Sequence, residues 1–127
     1  MLRAVFPGWS NPLALVALLG LRVALNGYLT VTVASTVGFR AAHTAVVGTL
    51  TVVSGVLTVL LLRGSGLGVD ASYAEVFLQI ALISVAASVV VTHPSSPRRT
   101  VTVAVLLGAL GLAVVMIPIY GEAFVAP

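Results

Sequence analysis

Between residues 12 and 120 the chain carries four long apolar runs, separated only by short breaks rich in Gly, Pro, Ser and Arg. About 20 apolar residues, rising 1.5 Å each as a helix, cross a hydrocarbon core of roughly 30 Å. Runs of that length and number need lipid as their solvent. Charged residues make up 7% of the chain against 60% hydrophobic, too little polar surface to keep a water-facing exterior soluble. The mean hydropathy of +1.22 agrees. The fold class these features predict is all-α: a polytopic integral membrane protein with four transmembrane helices in an antiparallel bundle. Residues 1–127 then form a single transmembrane domain, multi-pass in a membrane that is the cell membrane if the source is prokaryotic.

The spans are expected at about 12–34, 41–62, 73–92 and 100–120. Asn11 is a favourable N-cap for the first, and Pro12 suits a first helical position where the missing N–H costs nothing. Phe6 and Trp9 read as interfacial anchors ahead of it, and the segment before Pro12 lacks the pattern of a cleaved signal. A short break from Ser35 to Arg40 makes span two an antiparallel neighbour of span one. Span two stops at Arg63-Gly64-Ser65-Gly66. Ser72 and Glu75 read as a capping box that opens span three at Tyr73. The run His93-Pro94-Ser95-Ser96-Pro97 with Arg98 and Arg99 is the clearest loop, and Pro118 loosens the last turn of span four. Arg40, Arg98 and Arg99 share one side against Arg3 and Arg63 on the other, which favours both termini outside.

All six basic residues are Arg, scattered over the chain with no stripe suited to nucleic acid. There is no Cys, which removes disulfides and thiolate chemistry. Two histidines, His43 and His93, are too few for a dedicated metal site, so neither metal nor cofactor is expected. No nucleophile–base spacing or phosphate loop is present, and the expectation is a protein that is not an enzyme.

Arg22 is the sharpest chemical feature. It lies at the eleventh of the 23 positions from Pro12 to Ala34, about 15 Å from either end of span one. A charge at that depth costs roughly 3 kcal/mol on insertion scales, so it faces protein, water or a counter-charge. Asn26, four residues on, shares its face. The two mark an ion or proton path or a charge pair with a partner chain, unless span one is shifted and Arg22 lies near an interface. Glu75 and Gln79 form a possible proton-accepting face at the mouth of span three, with the capping box as the competing account of Glu75. Asp70 and Glu122 read as solvated loop charges. His43 reads either as an interfacial proton carrier or as a polar helix end, most of the membrane thickness away from Glu75. Thr44, Gly48, Thr51, Gly55 and Thr58 step by 4, 3, 4 and 3 residues and predict a small-residue packing stripe on span two. Ala104, Gly108 and Gly111 on span four, and Ala81, Ser84 and Ser88 on span three, are shorter counterparts.

Two segments carry a resemblance. Thr36-Val37-Gly38-Phe39-Arg40, followed by Ala41-Ala42 and Gly48, and Tyr73-Ala74-Glu75-Val76-Phe77-Leu78, running into Leu82-Ile83-Ser84 and Ala87-Ser88-Val89, make up about a third of the chain. They resemble the F-type small hydrophobic subunits of Mrp-type multisubunit cation/proton antiporters and related energy-converting membrane hydrogenases. Phe39 stands where that family's pattern has Asp, Ala34 and Ser35 where it has Gly-Pro, Ala45 where it has a second acid, and the fourth span is extra. Arg40 and Glu75 are the charged positions that match. The resemblance implies a non-catalytic subunit of an ion- or proton-translocating assembly. The partners expected are the bilayer and either other membrane subunits or identical copies. The alternative is a self-sufficient homo-oligomeric transporter or channel.

Overall fold

The structure, a computed structural model, describes residues 12–62, 69–93 and 98–125, and side chains over 17–61, 70–93 and 98–118. The expected anchors Phe6 and Trp9, the Asn11 cap, the stop from Arg63 to Gly66 and the loop prolines Pro94 and Pro97 lie outside the described residues. Four α-helices and no strand are present among the described residues: α1 (Pro12–Val37), α2 (Ala42–Leu62), α3 (Val69–Thr92) and α4 (Arg99–Val125). Each is long and apolar enough to cross a membrane, as in a multi-pass membrane protein. Each helix packs on its neighbours in sequence, and α4 closes the ring against α1.

The helix ends differ from expectation in three places. α1 continues through Ser35 and Thr36 to Val37, where Gly38 adopts a φ of 101°. That left-handed residue donates its N–H to the Ala34 carbonyl at 2.9 Å and closes the helix. Its carbonyl then accepts the Thr44 hydroxyl at 2.7 Å, which ties the turn to the start of α2. α3 begins at Val69, so Ser72 lies inside the helix and is buried. Ser72 is therefore not at the helix's N-cap, and Asp70 sits in the helix's first turn instead of a loop. α4 runs through Pro118 and Tyr120 to Val125, which places Glu122 within the helix as well.

The inward faces of α3 and α4 repeat at alternating steps of three and four residues, and α2 keeps the same seam with one step of seven. On α2 the buried positions are Thr44, Val47, Ser54, Thr58 and Leu61. On α3 they are Ser72, Glu75, Gln79, Leu82, Ala86 and Val89, and on α4 Thr102, Leu106, Ala109, Ala113 and Met116. A 3.5-residue average period keeps one seam turned inward along each helix, the condition for near-parallel bundle packing. The outward faces carry Val31, Val52, Phe77, Leu107 and Val114, each more than half exposed. Lipid tails solvate such side chains as well as a protein interior does, so the inward faces are selected by close contact and polar pairing instead of hydrophobicity.

Two apolar clusters bracket the bundle's middle. Leu29, Val33, Val47, Leu82, Ala86 and Leu106 fill the half nearer the α1–α2 turn. Leu61 and Met116, backed by Leu18, Leu57 and Val76, close the other half.

A polar cluster buried between the helices

Between those two clusters, α1, α2 and α3 turn six polar side chains toward one another. Arg22 and Asn26 come from adjacent turns of α1, Ser54 and Thr58 from α2, Glu75 and Gln79 from α3. The i, i+4 spacing on each helix is what places both members of each pair on one face. All six are buried, Arg22 at 3% exposure and Glu75 at 0%.

Arg22 and Glu75 form an ion pair. Ser54 links them a second time, since its Oγ accepts from Arg22 Nη2 at 2.7 Å and donates to Glu75 Oε1 at 2.8 Å. The Thr58 hydroxyl lies 3.0 Å from the same carboxylate oxygen and 2.8 Å from the Ser54 carbonyl. Donors from two helices thus converge on Glu75 Oε1, the complement that an anion requires in a medium without water. Asn26 and Gln79 pair reciprocally: Gln79 Nε2 donates to Asn26 Oδ1 at 2.8 Å and Asn26 Nδ2 to Gln79 Oε1 at 3.0 Å. Gln79 Oε1 also lies 3.2 Å from Arg22 Nη2, which joins the amide pair to the ion pair. The formal charges of Arg22 and Glu75 cancel, and that lowers the cost of holding either one away from water.

Arg22 and Asn26 are both buried on the inner face of α1, the side they were expected to mark. The counter-charge of Arg22 comes from Glu75 of the same chain, where a partner chain had also been considered. Glu75 was expected at the mouth of span three. Because α3 starts at Val69, the carboxylate lies roughly 9 Å into the helix and turns to α1 and α2 instead of back to its own first turn. Ser54 and Thr58 complete the site, and Ser54 was not among the expected residues. No family model, curated protein or solved structure matches the chain.

His43 takes no part in the cluster. It is exposed in the first turn of α2, about 20 Å along that helix from the Ser54–Thr58 pair. Among the described residues no three His, Asp or Glu side chains gather as a metal-holding group.

The packing stripes are also redistributed. Thr44, Thr51 and Thr58 do face inward or sideways within the bundle, and Thr51 meets Thr30 of α1 at 3.1 Å. Gly48 approaches α1, where an added Cβ would stand 3.7 Å from the Thr30 methyl, an ordinary contact. A Cβ added at Gly55 would meet nothing within 4 Å, and the residue borders a cleft between α1 and α2. Gly108 and Gly111 are exposed on the outer face of α4, so they make no helix contact inside this bundle. Ala81, Ser84 and Ser88 likewise face outward, and the two hydroxyls bond carbonyls of their own helix at 2.8 and 2.7 Å.

The cleft between α1 and α2 has a volume of about 470 Å3 and apolar walls that include Leu19, Val23, Val52 and Val56. Arg22 and Asn26 border it from within the bundle. It gives the α1 side of the polar cluster a lateral approach from the plane of the membrane.

Proposed function

We propose that this chain is a non-catalytic, multi-pass subunit of a larger membrane assembly that translocates protons or cations, with Glu75 as its proton-exchanging carboxylate and Arg22 as the charge that positions it. One observation carries the reading: a carboxylate and a guanidinium are held together, both buried, between two apolar clusters in a bundle of membrane-length helices. Intramembrane ionisable groups are expensive and mark ion or proton pathways. Ser54 and Thr58 set hydroxyl groups against the carboxylate, and Gln79 is joined to the pair through Arg22. The resemblance of the Tyr73–Leu78 segment to the third helix of F-type antiporter subunits, with Glu75 as a matched charged position, supports the same assignment.

Apolar clusters on both sides of the site argue against a complete path inside one copy, which favours a subunit over a self-sufficient transporter. The lateral cleft beside Arg22 and Asn26 is where continuity with another chain is available.

The test uses the full tagged chain, isolated from its native membrane in mild detergent, with accompanying chains identified by mass spectrometry. Proton-coupled cation flux is measured in vesicles of the same membrane and normalised to chain abundance. A reproducible set of different membrane proteins, with flux per chain lost in Glu75→Gln, supports the proposal. Identical copies only, with flux by the purified protein in liposomes, would transfer the function to the homo-oligomeric alternative. An isolated monomer whose Glu75→Gln variant leaves flux per chain unchanged rejects both.

A further inference from the structure

The membrane end that holds the α1–α2 turn is basic. Arg40, His43, His93, Arg98 and Arg99 all lie there and are exposed, whereas Asp70, Glu75 and Glu122 belong to the other half of the bundle. No acid is found at the basic end among the described residues. α4 begins at this end with Arg99, so the unspent N–H groups of its first turn add positive potential beside the two arginines.

A second observation lies just below. The hydroxyl of Thr32 is buried, the residue being 5% exposed, and it has no hydrogen-bond partner among the described residues. Thr30, Thr36, Thr51, Thr58, Thr92 and Thr102 all bond the carbonyl four residues back, whereas the buried Thr32 hydroxyl does not. It borders a cavity of about 10 Å3 between α1, α3 and α4, whose lining also includes Thr36, Thr102, His93 and Arg99. That volume admits one oxygen atom with its hydrogen-bonding partners. A buried hydroxyl without a partner carries an uncompensated desolvation cost, which an acceptor or donor entering the cavity offsets.

Depth selects the ligand. α1, at 26 residues, is about 39 Å long against a hydrocarbon core of roughly 30 Å, so its ends project into the headgroup region. Thr32, five residues before the end of α1, then lies near the hydrocarbon boundary, with Arg99 and His93 at phosphate level. We infer that this end of the bundle binds the phosphate of an anionic phospholipid. One phosphoryl oxygen accepts from the Thr32 hydroxyl through the cavity, and Arg99 and His93 hold the remaining oxygens at its rim. The acyl chains run down the apolar outer faces of α3 and α4. The site is independent of any proton transfer at Glu75.

The experiment places the full chain in nanodiscs of phosphatidylcholine, with and without a fraction of phosphatidylglycerol, and reads thermal unfolding together with phosphatidylglycerol retained after detergent exchange. Phosphatidylglycerol is expected to raise the unfolding temperature by several degrees and to remain with the chain. Arg99→Gln should abolish most of that gain, and Arg40→Gln, at the same end but away from the cavity, should leave it intact. Thr32→Val should fold at least as stably as wild type in phosphatidylcholine, since it removes an unpaired hydroxyl, and should gain less from phosphatidylglycerol. Equal stability in the two lipids overturns the inference, as does an equal loss in Arg40→Gln and Arg99→Gln, which would mean a diffuse field and no site. If millimolar inorganic phosphate in phosphatidylcholine discs reproduces the gain, the ligand is free phosphate and the lipid assignment fails.

Discussion

A single guanidinium sets the terms for the residues around it. Arg22 needs an anion, Glu75 needs donors, and Ser54 bonds to both, so the removal of one charge leaves the other buried without its counterpart. Breaking one partner of a buried pair costs about 3–5 kcal/mol, whereas replacement of both by apolar groups of similar size is often neutral. Arg22→Met and Glu75→Leu are each expected to destabilise the chain by that amount, and the double variant Arg22→Met with Glu75→Leu to return to within about 1–2 kcal/mol of wild type. Reversible unfolding in mixed micelles, run as a double-mutant cycle, measures the coupling. Additive single effects would mean that the two charges act separately. Ser54→Ala is expected to cost less, about 1 kcal/mol, because hydrogen bonds between membrane helices average about 0.6 and reach about 1.7 kcal/mol. Arg22, Asn26 and Gln79 were legible in the sequence because polar side chains at mid-span have so few tolerable places. Ser54 was not, since a lone serine in a span can satisfy itself on its own helix, as Ser84 does. Its signal was the i, i+4 step to Thr58 at the depth of Arg22, and only the partner helices give that step its meaning.

At the level of helices, apolar run length located all four elements, but local signals misplaced their ends and faces. Ser72-x-x-Glu75 has the residues of a capping box, yet tertiary pairing of Glu75 with α1 and α2 takes precedence, and the helix starts earlier. On α2 the 4-3-4-3 step of Thr44, Gly48, Thr51, Gly55 and Thr58 meets the buried seam only at Thr44 and Thr58, and the other buried members are Val47, Ser54 and Leu61. A stripe of small residues therefore does not by itself say which side of it meets another helix. The consequence is measurable. A glycine inside a helix is disfavoured against alanine by roughly 0.5–1 kcal/mol, and nothing stands within 4 Å of a Cβ added at Gly55. Gly55→Ala is expected to raise stability by about that amount, and Gly108→Leu on the outer face of α4 to leave the folded chain intact. Thermal unfolding in detergent checks both. A loss of more than about 1 kcal/mol in Gly55→Ala would place another helix in the α1–α2 cleft, and an assembly defect confined to Gly108→Leu would assign that outer face to a neighbouring chain.

For the whole molecule, the distribution of arginine decides how the bundle sits in the membrane. Four antiparallel crossings put the turn after α1 and the connection from α3 to α4 on one side, together with Arg40, Arg98 and Arg99. By sequence order Arg3 and Arg63 are expected on the other, and acids there count for little because the bias follows Lys and Arg near span ends, not net charge. The short connections between the helices sharpen the rule. The basic end is therefore expected in the cytoplasm, where anionic headgroups are concentrated and attract juxtamembrane arginines by about 1 kcal/mol each. With no native cysteine, single replacements report topology without background. Phe39→Cys, at the exposed tip of the α1–α2 turn, should react with a membrane-impermeant maleimide only after the cytoplasmic face is opened, and Asp70→Cys, exposed at the start of α3, should react in intact cells. The reverse pattern would carry the basic end to the outer face and remove the anionic leaflet from its reach. Labelling of both positions from both sides would mean that the chain inserts in two orientations, as a margin of one arginine between its two faces permits, and the assembly would then contain oppositely oriented copies.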